Sequence, residues 1–231
     1  RRSVLGVLWT LLNPLCMMII LSIVFSSIFK FDVENFPLYV LSGQVIFNFF
    51  NDSTTSSMSA IISSASLIKK VYVPKYLFVL SRVMSSFINL MASFTALLLV
   101  MVATRAELHW TVFLSVIPLA MVVLFSFGVG MFLAAITVRF RDVIHLYSVF
   151  TTGLLYLTPV IYPMAALPDV VKTIVMINPL TNYLLMFRDV MFNNTLPSVF
   201  SVLLGIAEAA LALALGLYVF YKNQDEFILN L

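Results

Sequence analysis

Between His109 and Arg139 the chain reads WTVFLSVIPLAMVVLFSFGVGMFLAAITV (Trp110–Val138), 29 residues without one formal charge. A helix rises about 1.5 Å per residue, so roughly 20 apolar residues cross a hydrocarbon core ~30 Å thick. This stretch is long enough to do so. The same ruler, laid outward in both directions, finds further uncharged gaps: Ser3–Phe29, Asn35–Asn51, Val83–Thr104 and Val143–Pro168, the last broken only by His145. Val199–Tyr221 holds a single acid, Glu208. No β-barrel alternation is visible. The reading is an all-α polytopic membrane protein with six transmembrane helices.

Composition says the same. Of 231 residues 62% are apolar and 10% charged, and the mean hydropathy is +1.08. A soluble domain carries roughly 25% charged residues. That excludes a soluble single-domain enzyme and a disordered chain, and one cysteine, Cys16, excludes a disulfide scaffold.

Five of the nine prolines, Pro159, Pro163, Pro168, Pro179 and Pro197, crowd the region before the last span. There the apolar stretch Thr173–Phe187 is short and split by Pro179. Two short helices, Pro168–Ile177 and Leu180–Phe192, are expected to dip into one face of the membrane as a re-entrant pair; lying flat on that face is the alternative.

Orientation follows from Lys and Arg placement. One side holds Arg1, Arg2, Lys69, Lys70, Lys75, Arg82, Arg139, Arg141 and Lys222; the other holds Lys30, Arg105, Lys172 and Arg188. Nine against four places both termini in the cytoplasm. The net charge of +3 then reflects topology and gives no reason to expect nucleic acid. No cleavable signal peptide is visible, and a start at Arg1 suggests that residues precede it.

The long inner segment Asn51–Ser81 opens with a polar run, Asn51–Ser57, near the interface. Met58, Ile61, Ile62, Ala65 and Ile68 then recur at helical spacing, with Lys69, Lys70, Val71 and Tyr72 following before Pro74 breaks the pattern. Such an element is either an interfacial anchor with snorkelling lysines or a docking knob for a soluble partner. A tight inner turn, Arg139-Phe140-Arg141-Asp142, follows a span in which Gly130 and Ala134 have the spacing of close helix packing. No glycine precedes a lysine, so the P-loop is absent, and neither HExxH nor GxSxG occurs. His109 and His145 fall at opposite ends of the spans and suggest no shared metal site. Glu208 is the one acid within a span, too little for an ion-coupled carrier. Aromatic clusters such as Phe47-Asn48-Phe49-Phe50 and Tyr156–Tyr162 suit stacking on sugar rings, or equally the packing of helices.

Several motifs then stand in a familiar order. Arg1-Arg2-Ser3-Val4-Leu5-Gly6 with Leu12-Asn13-Pro14-Leu15, Leu41-Ser42-Gly43, Leu67-Ile68-Lys69-Lys70-Val71-Tyr72-Val73-Pro74-Lys75, Phe140-Arg141-Asp142-Val143, Leu157-Thr158-Pro159-Val160-Ile161-Tyr162-Pro163 and Asn178-Pro179-Leu180-Thr181 extend to about residue 190. Together they resemble the permease subunits of bacterial polysaccharide ABC exporters, the ABC-2 group that exports O-antigen, capsule or teichoic-acid chains. The family usually has an amphipathic helix before the first Arg pair, of which only the end could be present. The resemblance implies a single transmembrane domain over residues 1–231, located in the plasma (inner) membrane, that is a transport subunit and not an enzyme. It implies a homodimer with two copies of a separate nucleotide-binding ATPase, so that ATP and Mg belong to the partner and this chain has no cofactor. Leu67, Ile68, Lys69, Lys70, Val71 and Tyr72 would form a coupling helix between spans two and three, with Arg139, Arg141 and Asp142 close by. Trp9, Tyr39, Phe47, Phe50, Tyr156 and Tyr162 would line a path for a lipid-linked glycan. Pro159, Pro163, Pro168, Asn178, Pro179 and Arg188 would belong to an outer gate. An ABC-2 permease for a drug or small lipid is the alternative.

Overall fold

The computed structural model describes residues 4–28 and 35–227. Within them lie α1 (Val4–Ile28), α2 (Phe36–Met58), α3 (Ala60–Ser63), α4 (Ala65–Ile68), α5 (Tyr76–Ala103), α6 (Val116–Arg139), α7 (Val143–Tyr156), α8 (Asp169–Ile177), α9 (Pro179–Met191) and α10 (Val199–Asn223). Among the described residues there is no strand, as an all-α fold requires. Arg1, Arg2, Ser3 and Lys30, which entered the orientation or the resemblance, lie outside the described residues. Three stretches are long and apolar enough to cross a membrane: Tyr76–Ala103, Trp110–Arg139 and Val199–Glu226. A fourth is added if α8 and α9, bent by 94° about Asn178, count as one broken span.

Two gaps are filled differently from what the charge ruler suggests. α2 does not end at Asn51 but carries the polar run on to Met58. Its hydroxyls make this possible. Thr54 Oγ1 donates to the Phe50 carbonyl at 2.7 Å and Ser57 Oγ to the Ser53 carbonyl at 2.6 Å, so the side chains are satisfied within their own helix. Tyr147 of α7 donates its hydroxyl to Thr54 Oγ1 at 2.7 Å. With 16 of its 23 residues buried, α2 is the central helix, which is why it can be less apolar than those around it. The second difference is α7, helical over only 14 residues. That is about 21 Å of rise. Beyond Leu157, Pro159 and Pro163 lack amide donors and the chain turns instead of spiralling.

Close packing is set by small residues on two faces of α6. Toward α10, a side chain on Gly216 would overlap the Gly128 carbonyl, and one on Gly128 would overlap the Ala212 backbone. Toward α2, a Cβ on Gly130 would sit 2.8 Å from Ser57 Oγ. Helices in lipid gain little from burying apolar surface, so backbone approach of this kind carries much of their association. The sequence reading singled out Gly130 and Ala134; Ala134 is fully buried. It passed over Ala212 and Gly216 of α10.

α9 is short but deeply placed. Leu180, Tyr183, Leu184, Phe187, Val190 and Met191 are all buried, and Tyr183 donates its hydroxyl to the Gly205 carbonyl of α10 at 3.2 Å. α8 is the reverse: Val175 alone of its residues is buried.

Candidate functional site

The two ends of α2 carry different constructions. At its C-terminal end the chain makes two single helical turns, α3 and α4, which bury Ala60, Ile61 and Ile68. Ile61 and Ile68 join Val79 of α5, Ala134, Ala135 and Val138 of α6, and Phe220 and Phe227 in one cluster. Arg82 Nη2 donates to Ser63 Oγ at 3.1 Å. Lys75 Nζ donates to the Gln224 carbonyl at the end of α10 and lies 5.8 Å from the centre of the Phe227 ring. On this base Ile68 is anchored while Leu67, Lys69, Lys70, Val71 and Tyr72 stand out, Tyr72 being 98% exposed. A fully exposed tyrosine beside two exposed lysines and two exposed aliphatic residues is an adhesive, positively charged patch on a fixed support. Arg139, Arg141 and Asp142 are exposed at the neighbouring end of α6, one residue beyond Val138 of the same cluster.

At the N-terminal end of α2 everything turns inward around Arg188. Its Nε donates to Ser42 Oγ at 3.1 Å, Nη1 to the Pro159 carbonyl at 2.7 Å, and Nη2 to the carbonyls of Tyr39 and Val160 at 2.9 and 3.2 Å. The guanidinium also lies 3.5 Å from the centre of the Tyr39 ring. Only 4% of the residue is exposed. Gly43 makes room: a Cβ there would sit 2.9 Å from Val160 Cα and 3.0 Å from Arg188 Nη2. A buried cation is tolerated because backbone oxygens and a π face surround it.

The tyrosines extend this knot. Tyr39 donates its hydroxyl to the Tyr162 carbonyl at 2.9 Å, and Tyr162 donates to the Tyr156 carbonyl at 2.6 Å. Asn178 caps α9 by accepting from the Leu180 amide at 3.1 Å, the arrangement an Asn followed by an N1 proline favours. Its Nδ2 donates to Thr158 Oγ1 at 2.8 Å.

The structure therefore brings Tyr39, Tyr156, Tyr162, Pro159, Pro163, Asn178 and Arg188 into one region, with Pro179 as the first residue of α9 and Pro168 exposed ahead of α8. Trp9 is 67% exposed on α1. Phe47 and Phe50 are core residues, and Phe50 stacks on Phe125 with centres 5.8 Å apart. Phe47 presents almost no surface to a path outside the chain; Phe50 edges an apolar pocket between α7, α8 and α9. Glu208, unassigned from sequence, accepts from Asn182 Nδ2 at 3.4 Å and ties α10 to α9. Ser42, Gly43 and Thr158 stand in the quoted motifs, but sequence reasoning gave them no role at this site.

Apolar helices long enough to cross a bilayer, packed by glycine and bearing one projecting basic end, define a multi-pass membrane protein. The ABC-2 type transporter family profile matches residues 1–192, and the chain belongs to that family. Its relatives include the O-antigen export system permease protein RfbA of Klebsiella pneumoniae, 27% identical over 229 residues, covering 98% of this chain and 88% of the relative. RfbA of Myxococcus xanthus has the same identity and coverage. The polysialic acid transport protein KpsM of Escherichia coli is 21% identical over 188 residues, 80% of this chain and 73% of the relative.

Proposed function

We propose that the chain is the channel-forming permease of an ATP-driven exporter that moves a lipid-linked polysaccharide from the cytoplasm across the bacterial plasma membrane. α1, α2, α5, Trp110–Arg139, the stretch Val143–Pro168 that opens with α7, and α10 make six crossings, with both termini cytoplasmic. Leu67–Tyr72 is the coupling element, seated in an ATPase subunit that binds ATP and Mg. Two copies of the chain and two ATPase subunits complete the exporter.

The observation that carries the reading is the projection of Leu67, Lys69, Lys70, Val71 and Tyr72 from a base whose apolar residues are buried. A chain with no phosphate-binding loop receives work only through such a rigid contact. α8 and α9 form the re-entrant pair. In support, Pro179 at their bend shares a groove with Phe125, Val129, Leu211 and Leu215, which lie midway along α6 and α10. The cargo is assigned from the relatives, whose names specify O-antigen and polysialic acid. A long glycan fits no closed carrier site, and conduction requires contacts weak enough to release each sugar.

The test is co-expression with the ATPase encoded beside it, together with a deletion strain. A stable complex with stimulated hydrolysis and loss of surface glycan on deletion are expected. Failure to associate, or an unchanged surface glycan, contradicts the reading.

A further inference from the structure

At the N-terminal end of α2, remote from the projecting segment, a cavity of about 760 Å³ lies between the Arg105–His109 loop and α9. It falls within the usual size of sites for small organic ligands, roughly 300–1,000 Å³. Its polar lining includes Asn35, Tyr39, Arg105, Glu107, Arg188 and Asp189, with His109 and Asn193 beside them. We propose that this vestibule is a saccharide-binding site that holds a short stretch of uncharged glycan. The ligand class and the outward orientation rest on the export reading above.

Three observations support the site. First, among the described residues the lining carries both signs, Arg105 and Arg188 against Glu107 and Asp189. A phosphate or sulfate would meet two carboxylates, whereas a polyol uses both signs because each hydroxyl donates and accepts. Second, hydrogen-bonding capacity is left over. Arg188 contributes a wall here rather than a donor, since four of its five N–H groups are engaged within the joint. Asp189 Oδ1 accepts from Asn193 Nδ2 at 3.0 Å, which fixes the carboxylate, and its second oxygen has no hydrogen-bond partner among the described residues. Glu107 stands beside it as an exposed carboxylate, its Oε2 3.4 Å from His109 Nε2. Third, the rim is held in an unusual backbone shape. Arg105 at φ 53° and Asn194 at φ 49° are the two non-glycine residues with left-handed φ among the described residues. Arg105 lines the vestibule and Asn194 directly follows Asn193 in its wall. Thr111 Oγ1 donates to Asn194 Oδ1 at 3.3 Å, pinning one of them. Such conformations persist where surrounding structure enforces them, and they cluster at ligand sites.

The test uses the permease–ATPase complex in nanodiscs. The probe is short oligosaccharides released by mild acid from the surface glycan of the producing strain, followed by titration calorimetry. Glu107→Gln with Asp189→Asn removes two charged acceptors at constant shape, and binding is expected to weaken roughly tenfold or more. Asn193→Ala, an exposed position, is a second variant should the first fail to assemble; it is expected to weaken binding by a few-fold. Binding indifferent to both variants overturns the site while leaving export by the wild-type complex intact. Tighter binding of dextran sulfate than of the neutral fragments overturns the assigned ligand class. A wild-type complex that exports nothing yet binds fragments through Glu107 and Asp189 upholds the site and overturns the export reading.

Discussion

The two ends of α2 solve opposite problems with similar residues. At one end Lys69, Lys70 and Tyr72 are held out on a base that buries Ile61 and Ile68. At the other, an arginine and a tyrosine fold against each other and against backbone oxygens, and Arg188 is almost wholly buried. Cation and ring are surplus at the first end and consumed at the second. The contrast separates a surface kept for another molecule from a joint that holds α2, α9 and the Thr158–Val160 turn in one arrangement. Stability is therefore concentrated at the Arg188 joint, and the Lys69–Tyr72 patch is free to be functional.

The largest effect is expected at the joint. Arg188→Leu leaves the Pro159, Tyr39 and Val160 carbonyls without their donors, at a cost on the order of 3 kcal/mol or more. A fall in thermal unfolding temperature of the detergent-solubilised protein checks it, and an unmoved transition would break the comparison. Gly216→Leu drives a side chain into the Gly128 carbonyl, and overpacking of this kind costs about 1–3 kcal/mol. The same thermal measurement should place it below Arg188→Leu, because α10 can shift outward whereas the guanidinium has no substitute. Tyr147→Phe removes one buried hydroxyl; Thr54 keeps its bond to the Phe50 carbonyl, so about 1 kcal/mol is expected. Lys70→Glu with Tyr72→Ala should move the transition least, within about 0.5 kcal/mol, as exposed positions do. That variant should nevertheless uncouple ATP hydrolysis from export, measured as hydrolysis retained with surface glycan lost.

How far the sequence foretold this differs between the two ends. The projecting segment was legible because its cues are local: apolar residues at helical spacing, then Lys-Lys-Val-Tyr, then Pro74. The joint was not. Arg188 is assigned to the outer gate only through the resemblance, and only folding shows that Ser42 and Val160, more than 25 residues away in sequence, accept its hydrogen bonds. The charge ruler located α5, α6 and α10, although Arg82 falls inside α5 and α10 begins at an uncharged Ser198 cap. It overran α7, since uncharged residues do not register where a backbone stops spiralling, although Pro159 carried that information. It ended α2 early, since it stopped at Asp52, an exposed acid that the helix carries on its surface. Aromatic residues were the least legible: Phe50 and Tyr156 are alike in composition arguments, yet one is core and the other 65% exposed.

The central claim is that Leu67–Tyr72 is the seat of an ATPase. The most direct measurement is the affinity of the nanodisc-embedded permease for its neighbouring-gene ATPase, compared between wild type and Lys70→Glu with Tyr72→Ala. Removing a charge and an aromatic anchor from the centre of a contact should weaken it roughly tenfold or more, with the unfolding temperature unchanged. Equal affinity in the two proteins would contradict the account.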